Sequence, residues 1–406
     1  MDFAARTARI SVSPTMKVAA DAMKLKAQGV DVVDFGAGEP DFPTPPHVSA
    51  AAHKAIDANF TKYTTNSGTE DLKRAIAERH RIDNGVEYST AEVIVSAGGK
   101  QALYNSVLAL FGPGDEVITH MPGWPTLVEQ IKLAEATPVI VRTHVEDGFK
   151  VTADLFLRAV TPRTKGIIIN SPGNPTGALI SEDDVEAIAK AAAERGIWVL
   201  LDLCYDRLVY DRVPHNIIGV LSRHLRHKAV LCGSASKAYA MTGWRCGWVV
   251  GPAPLVSACN AIQSHSTSNA CSISQRAAEA ALRGPQDCVT EMLDEYKRRR
   301  DQLYAWLSED PRIRMTKPAG AFYMFPDVSE FLSPDGIRTS ADLANALLTE
   351  ARVAVTPGEA FDAPGFLRIS YAASMKDLER GSRRILEFLA KRSERAARHE
   401  QSPASL

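Results

Sequence analysis

The sequence predicts an α/β protein, a large domain on a mostly parallel sheet joined to a smaller α+β domain. Three observations carry this. Between about Glu92 and Pro252 short apolar runs alternate with helical patterns, as they do when strands are joined through helices. After Glu291 the texture changes to a long charged helix and two short strand-like runs. A chain of 406 residues, 45% hydrophobic and 23% charged, can bury at least one large core and exceeds the usual single domain.

Residues 1–45 hold no strand of the main pattern and are expected to form an N-terminal arm and part of the smaller domain. A helix is expected from Thr69 to His80, where Leu72, Ile76 and Arg79 share helical spacing before an Asn84-Gly85 turn. Buried strands, rich in Val, Ile and Leu, are read at Glu92–Ser96, Glu116–Thr119, Thr137–Val141, Gly166–Asn170, Ile197–Asp202 and Ala229–Gly233. Ser181 followed by Asp184 makes a capping-box start; Val185, Ile188, Ala189 and Ala192 form one face, and Gly196 stops the helix. The charged helix Tyr296–Trp306 then leads to strands near Ala321–Phe325 and Phe366–Ser370. The large domain is placed at 46–295, the smaller at 296–395, and a frayed tail at 396–406.

Lys plus Arg (47) and Asp plus Glu (48) nearly cancel, so no global field favours nucleic acid or an anionic membrane. Six cysteines are scattered without CxxC pairs or zinc-ligand spacing, and reduced thiols with no metal are expected. Met1–Val12 lacks the apolar core of a secretory signal, and no apolar run is long enough to span a bilayer. A cytoplasmic protein acting on small molecules is expected.

Polar residues gather where strands of the α/β domain end, the place where ligands bind in open α/β sheets. Strand Ala229–Gly233 runs into Ser234-Ala-Ser-Lys237 and on to Gly243-Trp-Arg245. An amine nucleophile needs a dry, cationic setting, which Arg245 helps to supply; alone, such a lysine is usually an ordinary loop residue. Asp202 ends five apolar residues, with Tyr205 close behind; a buried acid must be paired, functional, or a helix cap. Ser171-Pro-Gly-Asn174-Pro-Thr-Gly177 displays an amide at the sheet edge, or is a plain turn. Ala97-Gly98-Gly99-Lys100 before a helical run would aim N–H groups at an anion. Trp124, after Pro122-Gly123, offers an aromatic face or is simply core.

Together, Ser-Ala-Ser-Lys237 with Thr-Gly-Trp-Arg245, Asn-Ser-Pro-Gly-Asn174-Pro-Thr-Gly, Asp202-Leu-Cys-Tyr205 and Gly36-Ala-Gly38-Glu-Pro-Asp41-Phe resemble the class I aminotransferases, in the family's order from Gly36 to about Tyr371. The likeness is greatest to the bacterial aspartate enzymes. It implies fold type I with a seven-stranded sheet, pyridoxal 5′-phosphate (PLP) as cofactor, and a homodimer with shared active sites. Lys237 would be the imine-forming lysine that moves a proton between substrate Cα and the cofactor. Asp202 would pair with the pyridine nitrogen, and Asn174 and Tyr205 with the ring hydroxyl. Backbone groups of Gly99 and Lys100, with Ser234 and Arg245, would hold the phosphate, joined by Tyr63 of the neighbouring subunit, while Trp124 stacks on the ring. Arg368 would grip the substrate α-carboxylate, with Gly38, Asn174 and Trp124 lining the substrate.

In the related aspartate enzymes the lysine matching Lys100 also reaches the distal carboxylate, so aspartate or glutamate is the expected donor and 2-oxoglutarate a fitting acceptor. This chain departs from the family at Gly123, where an aromatic is usual, and at Leu203-Cys204; a broader, aromatic or neutral donor range is the alternative. The basic pair of members that accept prephenate is replaced by Ser11 and His144. Because the cofactor site alone does not fix which bond breaks, a carbon–sulfur β-lyase is the rival on this scaffold.

Overall fold

The computed structural model of the chain describes residues 3–11, 14–333 and 336–400. Two compact units are formed, one from Met1–Val12, Phe42–Asp294 and Ala319–Ala321, the other from Ser13–Asp41, Glu295–Pro318 and Phe322–Leu406.

The first unit is built on seven strands: β1 (Val93–Ser96), β2 (Glu116–Met121), β3 (Thr137–Arg142), β4 (Thr164–Asn170), β5 (Trp198–Asp202), β6 (Ala229–Ser234) and β7 (Gly247–Val250). Their order is β1-β7-β6-β5-β4-β2-β3. The block from β6 to β3 is parallel, and β7 runs antiparallel to both β6 and β1. Both sheet faces are covered, so β1, β2, β5, β6 and β7 bury nearly every residue and read as apolar runs rather than alternating ones. Six of the strands fall where expected. The seventh, β7, follows so soon after the lysine loop, and is so short, that it carried no separate signal.

Helix ends follow their caps. Thr69 accepts from Leu72 N–H at the start of helix Glu70–Asn84, and Gly85 closes it at φ +70°, one turn beyond the expected end at His80. Ser181 accepts from Asp184 N–H at 3.0 Å, and Gly196 ends helix Glu182–Arg195. In the second unit Val33–Asp34 pairs with Val353–Ala354, and Thr356–Pro357, Leu367–Ser370 and Tyr323–Met324 make a three-stranded sheet. The charged helix is longer than expected, Asp287–Leu307, and Met375–Glu400 is helical past Lys391 into the segment expected to fray. Residues 401–406 of that tail lie outside the described residues. Among the described residues no helix is long and apolar enough to cross a membrane.

Candidate active site

Strand β6 ends at Ser234, whose register partner is Gly247 at the start of β7. The connection carrying Lys237 therefore leaves and re-enters the sheet side by side. Within it Met241 N–H donates to Ser236 O at 3.0 Å and Ala240 N–H to Lys237 O at 3.4 Å, closing a turn on the lysine. Ala240 (φ +49°) and Arg245 (φ +53°) adopt left-handed backbone, which costs a residue with a Cβ. Lys237 Nζ lies 5.9 Å from the centre of the Tyr205 ring.

Asp202, the last residue of β5, is 4% exposed. Its Oδ1 accepts from Cys204 N–H at 3.2 Å, and Leu203 N–H donates to Cys232 O at 2.9 Å, tying the turn to β6. Burial lifts this carboxyl from 3.8 to about 7; the Cys204 N–H and the Lys237 cation pull it down and Asp206 pushes it up. Asp206 is itself raised to about 6, chiefly by burial.

Asn170 ends β4 and is the register partner of Asp202. Its Nδ2 donates to Asp202 O at 3.4 Å, its Oδ1 accepts from Asn174 N–H at 2.9 Å, and its own N–H donates to His120 Nε2 at 3.3 Å. His120 can accept because burial depresses its imidazolium to about 4 and keeps the ring neutral. The ends of β2, β4 and β5 are thereby linked. The sequence reading assigned Asn170 no role, although it ends an Ile-Ile-Ile run just as Asp202 ends its own.

Gly98 caps helix Gly99–Leu110 at φ +86°. A Cβ there would stand 2.5 Å from Arg245 Nη2, and one on Gly247 would stand 2.4 Å from Gly98 C. The glycines let the helix start, Ser234 and Arg245 crowd together. Arg245 Nη1 donates to Thr242 O at 2.8 Å and Nη2 to Ala97 O at 3.4 Å. Cation and helix start together make an anion cradle. Lys100 Nζ lies 5.0 Å from the centre of the Trp124 ring; burial, and secondarily Arg245, lowers the pKa of this ammonium. A Cβ on Gly123 would come 2.4 Å from His120 O, so the turn before Trp124 excludes any side chain at that position.

Of the remaining expected residues, Gly38 and Arg368 belong to the second unit and Tyr63 to the first. In the second unit Arg368, 3% exposed, donates from Nη2 to Gly36 O at 2.9 Å and to Thr356 Oγ1 at 3.4 Å. Its guanidinium stands 4.4 Å from the Tyr323 ring centre and 5.0 Å from that of Phe361. A Cβ on Gly38 would meet Tyr323 Oη at 3.2 Å and Arg368 Nη2 at 3.8 Å, so Gly38 and Arg368 are neighbours. Tyr63 of the first unit projects from the surface, 90% exposed.

Residues 30–385 match the family of aminotransferase class I and II. The aspartate aminotransferase of Bacillus sp. (strain YM-2) is 42% identical over 95% of this chain and 98% of its own length. The aspartate/prephenate aminotransferase of Cereibacter sphaeroides is 42% identical over 94% and 97%. Among solved structures, the Rhizobium meliloti aspartate aminotransferase superposes with TM-score 0.89 at 39% identity, covering 95% of this chain and 98% of that one. The Thermus thermophilus enzyme with maleate gives 0.88 at 37%, with the same coverage. The matched range includes the lysine loop, the acid-bearing strand and the glycine turn, and on that ground the chain belongs to the class I and II aminotransferases, PLP-dependent enzymes of fold type I.

Proposed function

We propose that this enzyme moves amino groups between aspartate or glutamate and a 2-oxo acid such as 2-oxoglutarate, with Lys237 as its covalent anchor for PLP. The donor set suits that cofactor. Asp202 is a buried acid whose ionisation is costly unless a cation sits beside it, as a protonated pyridine nitrogen would. Gly99, Lys100, Ser234 and Arg245 suit the phosphate, Asn174 and Tyr205 the ring hydroxyl, and Trp124 the ring face. Bound PLP supplies electron withdrawal from the substrate Cα–H bond. Lys237 Nζ then takes the Cα proton, and Arg368 holds the α-carboxylate with its planar fork. A homodimer is proposed, with the exposed Tyr63 serving the neighbouring subunit.

The preference for an acidic donor rests on one observation, the exposed Lys100 ammonium beside Trp124, a cation able to pair with a second carboxylate. The names of the relatives support it. Gly123, standing where the family usually carries an aromatic residue, favours a second reading, in which aromatic or neutral donors are also accepted. Borohydride reduction followed by peptide mapping should place a pyridoxyl group on Lys237; its absence there overturns the cofactor assignment. Following PLP conversion to its amino form with each amino acid in turn then ranks the donors. Release of pyruvate and ammonia from cystathionine without amino transfer would instead mark a lyase.

A further inference from the structure

The loop that carries Lys237 contains two strained backbone positions, Ala240 and Arg245, at φ +49° and +53°. Such conformations persist only where surrounding structure fixes them. One hydroxyl does so from far away in the chain. Thr44 Oγ1 donates to Ala240 O at 2.8 Å and accepts from Trp244 Nε1–H at 2.9 Å. A threonine hydroxyl has one proton to give and lone pairs to receive, and here both functions are spent on the same loop. Its two partners adjoin the strain: Ala240 is itself one left-handed residue and Trp244 immediately precedes the other. Thr44 is flanked by Pro43, Pro45 and Pro46, whose fixed φ angles make its backbone stiff, and helix Pro46–Asp57 starts directly after it.

Resting on the PLP reading above, we infer that Thr44 is a positioning residue for Lys237, its hydroxyl stapling the lysine loop in the conformation that presents the amine. Thr44 needs no contact with cofactor or substrate to act in this way. Losing the hydroxyl would leave an indole N–H and a carbonyl without these partners and free Ala240 to relax, shifting the lysine.

The full-length protein, stripped of PLP and titrated back, provides the test. Thr44→Val keeps the side-chain shape and removes the hydroxyl; Thr44→Ser keeps the hydroxyl. In Thr44→Val, PLP affinity should fall about tenfold or more, and the midpoint of the bound cofactor's absorbance change with pH should move; in Thr44→Ser both should return to within about threefold of the parent. Parental affinity and titration in Thr44→Val, or equal loss in Thr44→Ser, overturns the inference. Trp244→Phe, which removes the indole N–H together with part of the ring, gives an independent reading should Thr44→Val not fold: a shift in the same direction supports the staple, and parental behaviour overturns it. A parent protein with no pyridoxyl group on Lys237 after reduction overturns the cofactor reading itself, which separates the two failures.

Discussion

Asn170 donates its side-chain amide to the backbone oxygen of Asp202 at 3.4 Å while accepting the Asn174 N–H at 2.9 Å. One residue thus fixes two others proposed to hold the cofactor ring, at its nitrogen and at its hydroxyl. Asn170→Leu keeps the branched side-chain shape, with methyl groups in place of the amide oxygen and nitrogen, and removes both bonds. It should lower unfolding free energy by about 2 kcal/mol, read by urea denaturation, and weaken PLP binding as well. Loss of stability with unchanged PLP affinity would show that the linkage serves the sheet alone.

The Asp202 carboxyl, raised from 3.8 to about 7 by burial, gives a signed pH dependence. Between those values the folded, cofactor-free protein binds the proton that the unfolded chain has released, so this group's contribution to stability is greatest below pH 4 and declines as pH rises to about 7. His80 and His120, depressed from 6.5 to about 4 by burial, act oppositely between those values, and Asp206, raised to about 6, acts with Asp202, so the contributions of these four groups largely cancel. Comparison with Asp202→Asn isolates the acid. Relative to that variant, the parent without PLP should lose on the order of 1 kcal/mol per pH unit across this window, measured by denaturation at several pH values.

Lys100→Ala should raise KM for aspartate by about ten- to a hundredfold and leave KM for alanine within about twofold, the pattern of a lost charge-assisted contact to a second carboxylate. Steady-state kinetics with the two donors decides it. Equal effects on both would show that the Lys100 ammonium does not distinguish a second carboxylate.

Gly98→Ala places a Cβ 2.5 Å from Arg245 Nη2 at a backbone φ of +86°. The substitution should cost about 1–3 kcal/mol and weaken PLP by displacing the guanidinium. Thermal unfolding with and without PLP checks this: the stabilisation that PLP confers should shrink.

Ser181→Ala removes a helix cap in the first unit and should lower unfolding free energy by about 1 kcal/mol without altering kcat. It separates general loss of stability from loss of the site.

What could be read in the sequence was whatever depended on neighbours along the chain. Ser181 and Asp184 announce a helix start because the bond they make spans one turn, and Gly85 and Gly196 mark ends because left-handed caps suit glycine. The apolar runs before Asn170 and Asp202 revealed strand ends in the same way. Strand β7 was missed: Gly247–Val250 is short, begins with glycine, and gains its place only by pairing with β6 and β1. Thr44 was invisible for a related reason, since its partners lie 196 and 200 positions away. His120 likewise has no local motif, its partner Asn170 lying 50 positions on. Lys237, Asp202 and Asn174 could be named because their motifs are local; the bonds that hold them in place could not.

The position of β7 also bears on the order of assembly. Gly98 and Gly99 meet Ser234 and Arg245 only once the first and last strands of the sheet have paired, a contact of high sequence separation and hence slow to form. The earlier parallel strands can associate while the anion cradle does not yet exist. Uptake of PLP would then report completion of the whole sheet, and a chain arrested before its last strand docks would be helical, compact and unable to take up its cofactor.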